Sequence, residues 1–417
     1  MRIKHIKVDN FKSLVDFELP LAKFNCIVGL NGSGKTTILQ FFDFLSQQVR
    51  GKFKEWLNKR HWESSDINSK LTKKLNINFE ILLEDSENAE INWSASFNRR
   101  TLSSTSERIV WNGNLILKVE DGNYSLWDYD TSADNSERKH AKKDGSEVKL
   151  IVSASIGSIE ISGPIPFDYQ GSIMSQLKES QLPPKIRQLK KFIGEIHSLD
   201  LLAPELLRQR TRESGNSLGL GGERLSAFLY EMSPEKRSKI LNKMTRCYPN
   251  LKGIDISAMR SGWKKLTFQE AFQKHSLKTE ARHVADGFLR LLAIFAQLSK
   301  EQSFLLLDEI ENGINPELIE FMMDSLVEAR PQVTVTTHSP MVLNYIEDNV
   351  AIEGVVYLYK EKTGKTQAIR LFDIPSMRKK LTVMGPGEVY EDTLLGQLED
   401  EIMSLKDPDQ ISKNGSR

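Results

Sequence analysis

The stretch Gly29-Leu30-Asn31-Gly32-Ser33-Gly34-Lys35-Thr36 constrains this chain more than any other feature, because it satisfies GxxxxGK[ST] at every fixed position. Its surroundings agree with the motif. The apolar run Cys26-Ile27-Val28 before it reads as a short buried strand, and Ile38, Leu39, Phe41, Phe42 and Leu45 after it recur at helical spacing. Glycines between a strand and a helix let the backbone curl around phosphate oxygens, so that successive N–H groups and the positive helix terminus face the anion. Gly29, Asn31, Gly32, Ser33 and Gly34 then line the phosphates, with Thr37 beside them. Lys35 reaches the β- and γ-phosphates, and Thr36 offers its hydroxyl to Mg²⁺. The expected ligand is ATP with Mg²⁺, in an α/β fold.

Such a site needs a carboxylate for the metal and a group that handles water, both at the end of a neighbouring buried strand. Phe304-Leu305-Leu306-Leu307-Asp308-Glu309 offers them. Four apolar residues suit an interior parallel strand, Asp308 is the metal carboxylate, and Glu309 is placed to orient or deprotonate the attacking water. A third strand, Val333-Thr334-Val335-Thr336, leads to Thr337-His338-Ser339-Pro340. A histidine there can bond the γ-phosphate or the water and so distinguish ATP from ADP.

Along the rest of the chain the patterns change twice. Ile3, Ile6 and Val8, then Phe11, Leu14 and Phe17, alternate as strands do, and short strand-like runs separated by Asn, Asp, Ser and Gly recur from about 76 to 165, with a mobile loop expected near 131–146. Between about 173 and 250 the period is helical, as in Leu189, Phe192, Ile193 and Ile196, or Leu225, Phe228, Leu229 and Met232. The glycine-rich piece from Arg212 to Glu223 reads as a flexible loop. After 283 helix and buried strand alternate again. We find no internal repeat and no long heptad run.

Composition narrows the partners. The 57 basic and 56 acidic side chains leave a formal charge of +1, so no global field draws the chain to nucleic acid. A DNA contact would need a local patch; Lys185, Arg187, Lys190 and Lys191 read either as one or as a solvated helix face. Cys26 and Cys247 sit in no CxxC or metal-ligand spacing and read as packing residues of a reducing compartment. The start lacks an apolar signal core and no apolar run is long enough to span a bilayer, which points to a cytoplasmic protein without membrane contact.

Four local matches make the chain resemble the ABC-type ATPases of the RecF, SMC and OLD group. Asp9-Asn10-Phe11-Lys12-Ser13-Leu14 looks like the group's opening strand motif, and Val284-Ala285-Asp286-Gly287-Phe288-Leu289-Arg290 looks like its signature. The run Asp308-Glu309-Ile310-Glu311-Asn312-Gly313-Ile314-Asn315-Pro316 resembles the Walker B and D-loop segment, and Thr337-His338-Ser339-Pro340 resembles the switch. The resemblance implies an ABC-type P-loop ATPase head with a β-rich lobe and an inserted helical lobe. Residues 1–50 would hold the N-terminal part of the ATPase core, 51–170 the antiparallel lobe, 171–282 a helical lobe or arm, 283–360 the C-terminal part of the core, and 361–417 a tail open to a partner. It also implies a homodimer or higher even oligomer that closes over two nucleotides, Ala285, Asp286 and Gly287 of one subunit capping the γ-phosphate of the other. Asn312, Gly313 and Asn315 would form the D-loop, and Lys12 would touch the nucleotide. Ala285 stands where the group has serine, and Asn315 where it often has histidine. Gln47, Gln48 and Gln170 are the candidates for the glutamine that joins the lobes at the metal.

OLD-like proteins often carry a Toprim-type nuclease after the ATPase, but Asp407-Pro408-Asp409 lacks a preceding buried strand, and Glu353-Gly354 lacks a second acidic motif. No nuclease activity of its own is expected. The leading reading is an ATPase that senses or controls a separate effector, a nuclease or toxin encoded nearby, in antiphage defence. A RecF-like DNA-repair ATPase is the alternative, and a transporter ATPase the third.

Overall fold

The computed structural model describes residues 1–129, 149–153, 158–199, 203–213, 217–219, 221–299, 304–393 and 395–406. The expected mobile loop and Asp407-Pro408-Asp409 lie outside them. Two compact units divide the chain: Met1–Ala22, Gln40–Ile196 and Lys360–Ala368 form the first, and Lys23–Leu39, His197–Tyr359 and Ile369–Arg417 the second. The N-terminal 50 residues are thus split, since the opening strands belong with the β-rich lobe and only the phosphate loop and its flanks belong with the nucleotide core.

The first unit is built on an antiparallel nine-stranded sheet. Its order is Phe17–Pro20, Arg2–Asp9, Asn76–Glu84, Glu90–Asn98, Ser103–Trp111, Asn114–Glu120, Asn123–Asp128, Ser158–Pro164 and Lys149–Ser153. Strict alternation places Ile77, Phe79, Ile81 and Leu83 of one strand, and Ile91, Trp93, Ala95 and Phe97 of the next, on the buried face. The helix Lys35–Arg50 contributes Phe41 and Phe44 to that face. Phe44 meets Phe97 edge-on at 5.1 Å and Phe11 at 5.3 Å. Each such ring contributes about 2–3 kcal/mol of burial, so the aromatic cluster anchors the second half of the helix.

The second unit carries the sheet that the phosphate motif requires. Its order is Ile196–Leu199, Phe304–Leu307, Gln332–Thr336, Phe24–Gly29, Val355–Lys360 and the Ile369–Arg370 end of the last strand. The four central strands pair in parallel. Phe304–Leu307 is buried throughout, as its unbroken apolar run demands, and the helices Asp286–Leu298 and Pro316–Val327 add Leu291, Leu292, Phe295, Met322 and Met323 to the same core.

Two segments depart from the sequence expectations. Within 171–282 the helices Pro184–Gly194, Leu225–Glu231 and Pro234–Cys247 form, but Leu251–Ala258, Lys264–Phe272 and His275–Glu280 make a three-stranded antiparallel sheet. Ile254 and Ile256 face the core beside Leu266 and Phe268, a period of two that the helical reading overran. The tail is the second departure. Leu398 and Ile402 of the helix Leu395–Lys406 are buried in the core of the second unit, where Ser376 Oγ donates to Glu401 Oε2 at 2.5 Å. Leu398 is therefore a core residue, and the helix it belongs to is no free partner-docking arm.

Candidate functional site

The phosphate loop, the acidic strand end, the histidine turn and the signature helix all lie in the second unit. Gly29 ends its strand at φ +148°, and a Cβ there would stand 2.3 Å from the carbonyl oxygen of Leu358 on the adjoining strand. Only glycine allows that approach. Gly32 and Gly34 also take positive φ, and the helix opens at Lys35. Lys35 Nζ donates to the carbonyl oxygens of Gly29 (2.7 Å) and Leu30 (3.1 Å), so the loop is closed around its own lysine. Burial lowers the lysine pKa, while Asp308, Glu309 and Glu311 nearby favour the charged form.

Thr36 and Asp308 converge as the motif predicts. Thr36 Oγ1 donates to Asp308 Oδ2 at 3.0 Å, and Thr336 Oγ1 donates to Asp308 Oδ1 at 2.5 Å. A hydroxyl and a carboxylate side by side are the hard oxygen donors that Mg²⁺ takes alongside phosphate oxygens, so the residues present suit that ion. Thr336 was not foreseen as a site residue, yet it also accepts from the Glu309 N–H at 2.9 Å. Its only signal in the sequence is a polar residue closing a buried strand.

Glu309 has φ +46°, unusual for a non-glycine residue, and the surroundings that hold it there define its side chain. Asn312 Nδ2 donates to Glu309 Oε2 at 2.5 Å, and His338 Nε2 stands 3.4 Å from Glu309 Oε1. The His338 N–H donates to Glu311 Oε1 at 2.8 Å, which ties the histidine turn to the acidic run. Three sequence-predicted residues, Glu309, Asn312 and His338, therefore meet around one carboxylate.

The signature segment is joined to this cluster within the same chain. Arg290, buried on the helix Asp286–Leu298, donates from Nη1 to the Asn312 carbonyl at 2.6 Å, and a Cβ on Gly287 would stand 2.1 Å from the Gly313 carbonyl oxygen. Ala285 is the N-cap and provides no side-chain cap. Asp286 pairs with Arg208, whose Nη2 also donates to the Val284 carbonyl at 2.9 Å. Asn315 caps the helix Pro316–Val327 by accepting from the Glu317 N–H at 3.3 Å, which explains a residue other than histidine there.

The remaining candidates are engaged elsewhere. Lys12 belongs to the first unit, where its ammonium donates to Gln40 Oε1 at 2.7 Å and lies 3.4 Å from the ring centre of Trp62. Burial, with Arg60 nearby, lowers its pKa to about 8. Gln48 Oε1 accepts from Ser104 Oγ at 3.2 Å, Gln170 Oε1 from the Lys54 N–H at 3.0 Å, and Gln47 Nε2 donates to Ser46 Oγ at 3.3 Å. All three glutamines serve the first unit's own packing. Cys26 is buried and its thiol pKa is pushed up by that burial, in keeping with a packing role. Among the described residues no helix is long and apolar enough to cross a membrane.

Known proteins show matching parts. Residues 1–196 match the AAA ATPase domain family, and residues 168–344 match a second AAA domain family whose description links it to the AbiEii toxin of a type IV TA system. An SMC head crystallised with the C-winged helix domain of ScpA is similar over 92% of this chain and 100% of that one, at TM-score 0.54 and 14% identity. A 47-residue stretch is 49% identical to the OLD nuclease of Thermus scotoductus, covering 11% of this chain and 9% of that protein. The chain thus carries a P-loop and two AAA-type matches, one over each part, on the fold of an SMC head.

Proposed function

We propose that the chain binds ATP with Mg²⁺ in the Gly29–Thr36 loop, hydrolyses it at a head-to-tail dimer interface, and uses that cycle to control a separate effector in antiphage defence. The observation that carries the chemistry is the meeting of Thr36 and Asp308 beside the group of Glu309, Asn312 and His338. Mg²⁺, when bound with the nucleotide, neutralises charge on the β- and γ-phosphates. Lys35 exchanges its loop carbonyls for phosphate oxygens, and Thr36 and Asp308 hold the metal. Glu309 accepts the proton of the attacking water or orients it, and His338 reports the γ-phosphate.

The uncapped start of the signature helix supports closure in trans, because its first N–H groups and positive dipole end remain available to a second subunit's γ-phosphate. The defence reading draws on the toxin-linked family match and the short OLD nuclease match, and the effector reading on an SMC head bound to a domain of another protein, ScpA. Sedimentation of Glu309→Gln with and without ATP and Mg²⁺ tests the dimer: we expect an ATP-dependent dimer, and full turnover by a strict monomer refutes it. Phage challenge of cells carrying the gene with its neighbours tests the pathway. Protection that survives Lys35→Ala would exclude ATP control.

A further inference from the structure

The near-neutral total hides a local excess. Residues 251–283, the three-stranded sheet and its exit, hold seven Lys or Arg against three Asp or Glu, a charge of +4 in a chain of +1. The first hairpin carries this charge to an exposed tip. The N–H of Met259 donates to the Trp263 carbonyl and that of Gly262 to the Met259 carbonyl, both at 2.8 Å, with Gly262 at φ +82°. This tight turn leaves Met259 and Trp263 39% and 40% exposed, on either side of exposed Arg260. Such large apolar groups at a loop tip add nothing to the core.

Further residues complete a patch of mixed character. The Lys264 N–H donates to the Thr211 carbonyl at 2.9 Å, which lays Arg212 against the turn, its Nε 3.7 Å from where a Cβ on Gly262 would stand. Lys264 Nζ lies 5.4 Å from the ring centre of Tyr230, itself 41% exposed. Among the described residues Arg212 and Arg260 make no ion pair, unlike Arg208, Arg210 and Arg224, which are matched to Asp286, Glu280 and Glu213. A cleft of about 760 Å³ on the same sheet continues the positive field through Arg237, Lys265, Lys278 and Arg282, opposed by Asp255 and Glu280.

We propose that the tip formed by Arg212, Tyr230, Met259, Arg260, Trp263 and Lys264 binds single-stranded nucleic acid. Unpaired cations answer a phosphate backbone, and exposed aromatic faces between them stack unpaired bases irrespective of sequence. Tyr, Trp, Met and Arg also serve protein interfaces, and it is the excess of seven cations over three acids across 251–283 that favours a polyanion here. A duplex would offer its phosphates but no free base to Trp263. The last strand of this sheet, His275–Glu280, leads through the turn Ala281–His283 to the signature helix Asp286–Leu298.

Fluorescence anisotropy of the full chain with labelled oligo(dT), oligo(rU) and a duplex tests this. We expect either single strand to bind more tightly than the duplex, and the stronger of the two names DNA or RNA. Arg212→Glu with Arg260→Glu should weaken binding about ten-fold or more and lower the slope of log K against log salt by roughly 1.4, two phosphate contacts at about 0.7 each. Trp263→Ala should weaken it about five-fold or more and leave the salt slope unchanged, as loss of one stacked base predicts. ATP turnover without nucleic acid should not change, which also shows the variants folded. The assignment is overturned if no oligonucleotide binds at low salt, if the duplex binds best, or if these variants bind as wild type. Loss of binding on reversing Lys185, Arg187 and Lys191 instead would place the contact elsewhere and overturn it equally.

Discussion

Gly287→Ala puts the link between the signature helix and the D-loop to a direct test. The added methyl would stand 2.1 Å from the Gly313 carbonyl oxygen, whereas unstrained carbon–oxygen contacts need about 3.4 Å or more. One of the two segments must therefore move by roughly 1 Å, at a cost of about 1–3 kcal/mol. That movement acts on Asn312, which carries Glu309 through its side chain and is held by Arg290 through its carbonyl. A misplacement of about 1 Å at a reacting group lowers rates by about 100-fold, so we expect turnover to fall by that order while nucleotide affinity in the Lys35 loop stays within about three-fold. The assay is steady-state phosphate release beside equilibrium binding of a labelled nucleotide. Turnover within about two-fold of wild type would refute the linkage. The same collision means that Gly287→Asp, which from sequence reads as a change felt only by a second subunit's nucleotide, must disturb its own chain first.

Lys35→Ala should abolish measurable ATP binding, whereas Glu309→Gln should keep it and lower turnover by about 100-fold or more; equal affinity in the first or unchanged turnover in the second would count against the roles proposed. Glu107 is buried, and that burial raises its pKa to about 7 against the hydrogen bonds from Ser172, Trp93 and Ile173. Its folded pKa lies above the unfolded value, so native chains hold the proton longer, and wild-type stability should fall by on the order of 3 kcal/mol as pH rises from about 4.5 to 7 and then level off. Glu107→Gln should lack that slope in denaturant titrations across pH, and an equal slope in both proteins would assign it to other groups. Truncation after Leu381 removes Val389, Leu398 and Ile402 from the core, so the product should be insoluble or melt well below the full chain. A soluble, fully active truncation would return the tail to the surface.

How much of this was legible in the sequence depends on whether a residue's partner is near it in the chain. The phosphate loop is local: its glycines, Lys35 and Thr36 sit within eight positions, and strand and helix flank them as the motif requires. The acidic strand end was equally readable, because four buried apolar residues followed by two acids have few other uses beside such a loop. The helical reading of 171–282 failed at 251–280 because Gly253, Gly262 and long charged side chains blur a period of two, and only the pairing with neighbouring strands resolves it.

The residues that escaped notice join segments far apart in the chain. Thr336 looks like an ordinary strand residue until its hydroxyl is found between Asp308 and the Glu309 N–H. Arg290 looks like a charge on a helix until its burial against Asn312 is seen. The two departures from the pattern of the group it resembles become intelligible in the same way. Asn315 serves as an N-cap, for which a short acceptor side chain suits better than imidazole. Ala285 occupies the N-cap of the signature helix, where a serine hydroxyl would have taken up one of the first N–H groups; without it those donors stay available to an outside anion. The alanine therefore removes a hydroxyl contact and releases a backbone donor at the same helix end. Restoring the hydroxyl by Ala285→Ser should stabilise the isolated subunit by about 1 kcal/mol in denaturant titrations. If ATP-dependent assembly strengthens as well, the hydroxyl contributes more to the second subunit's phosphate than to its own helix; if assembly weakens while the monomer gains stability, the free N–H groups are the ones that hold the anion.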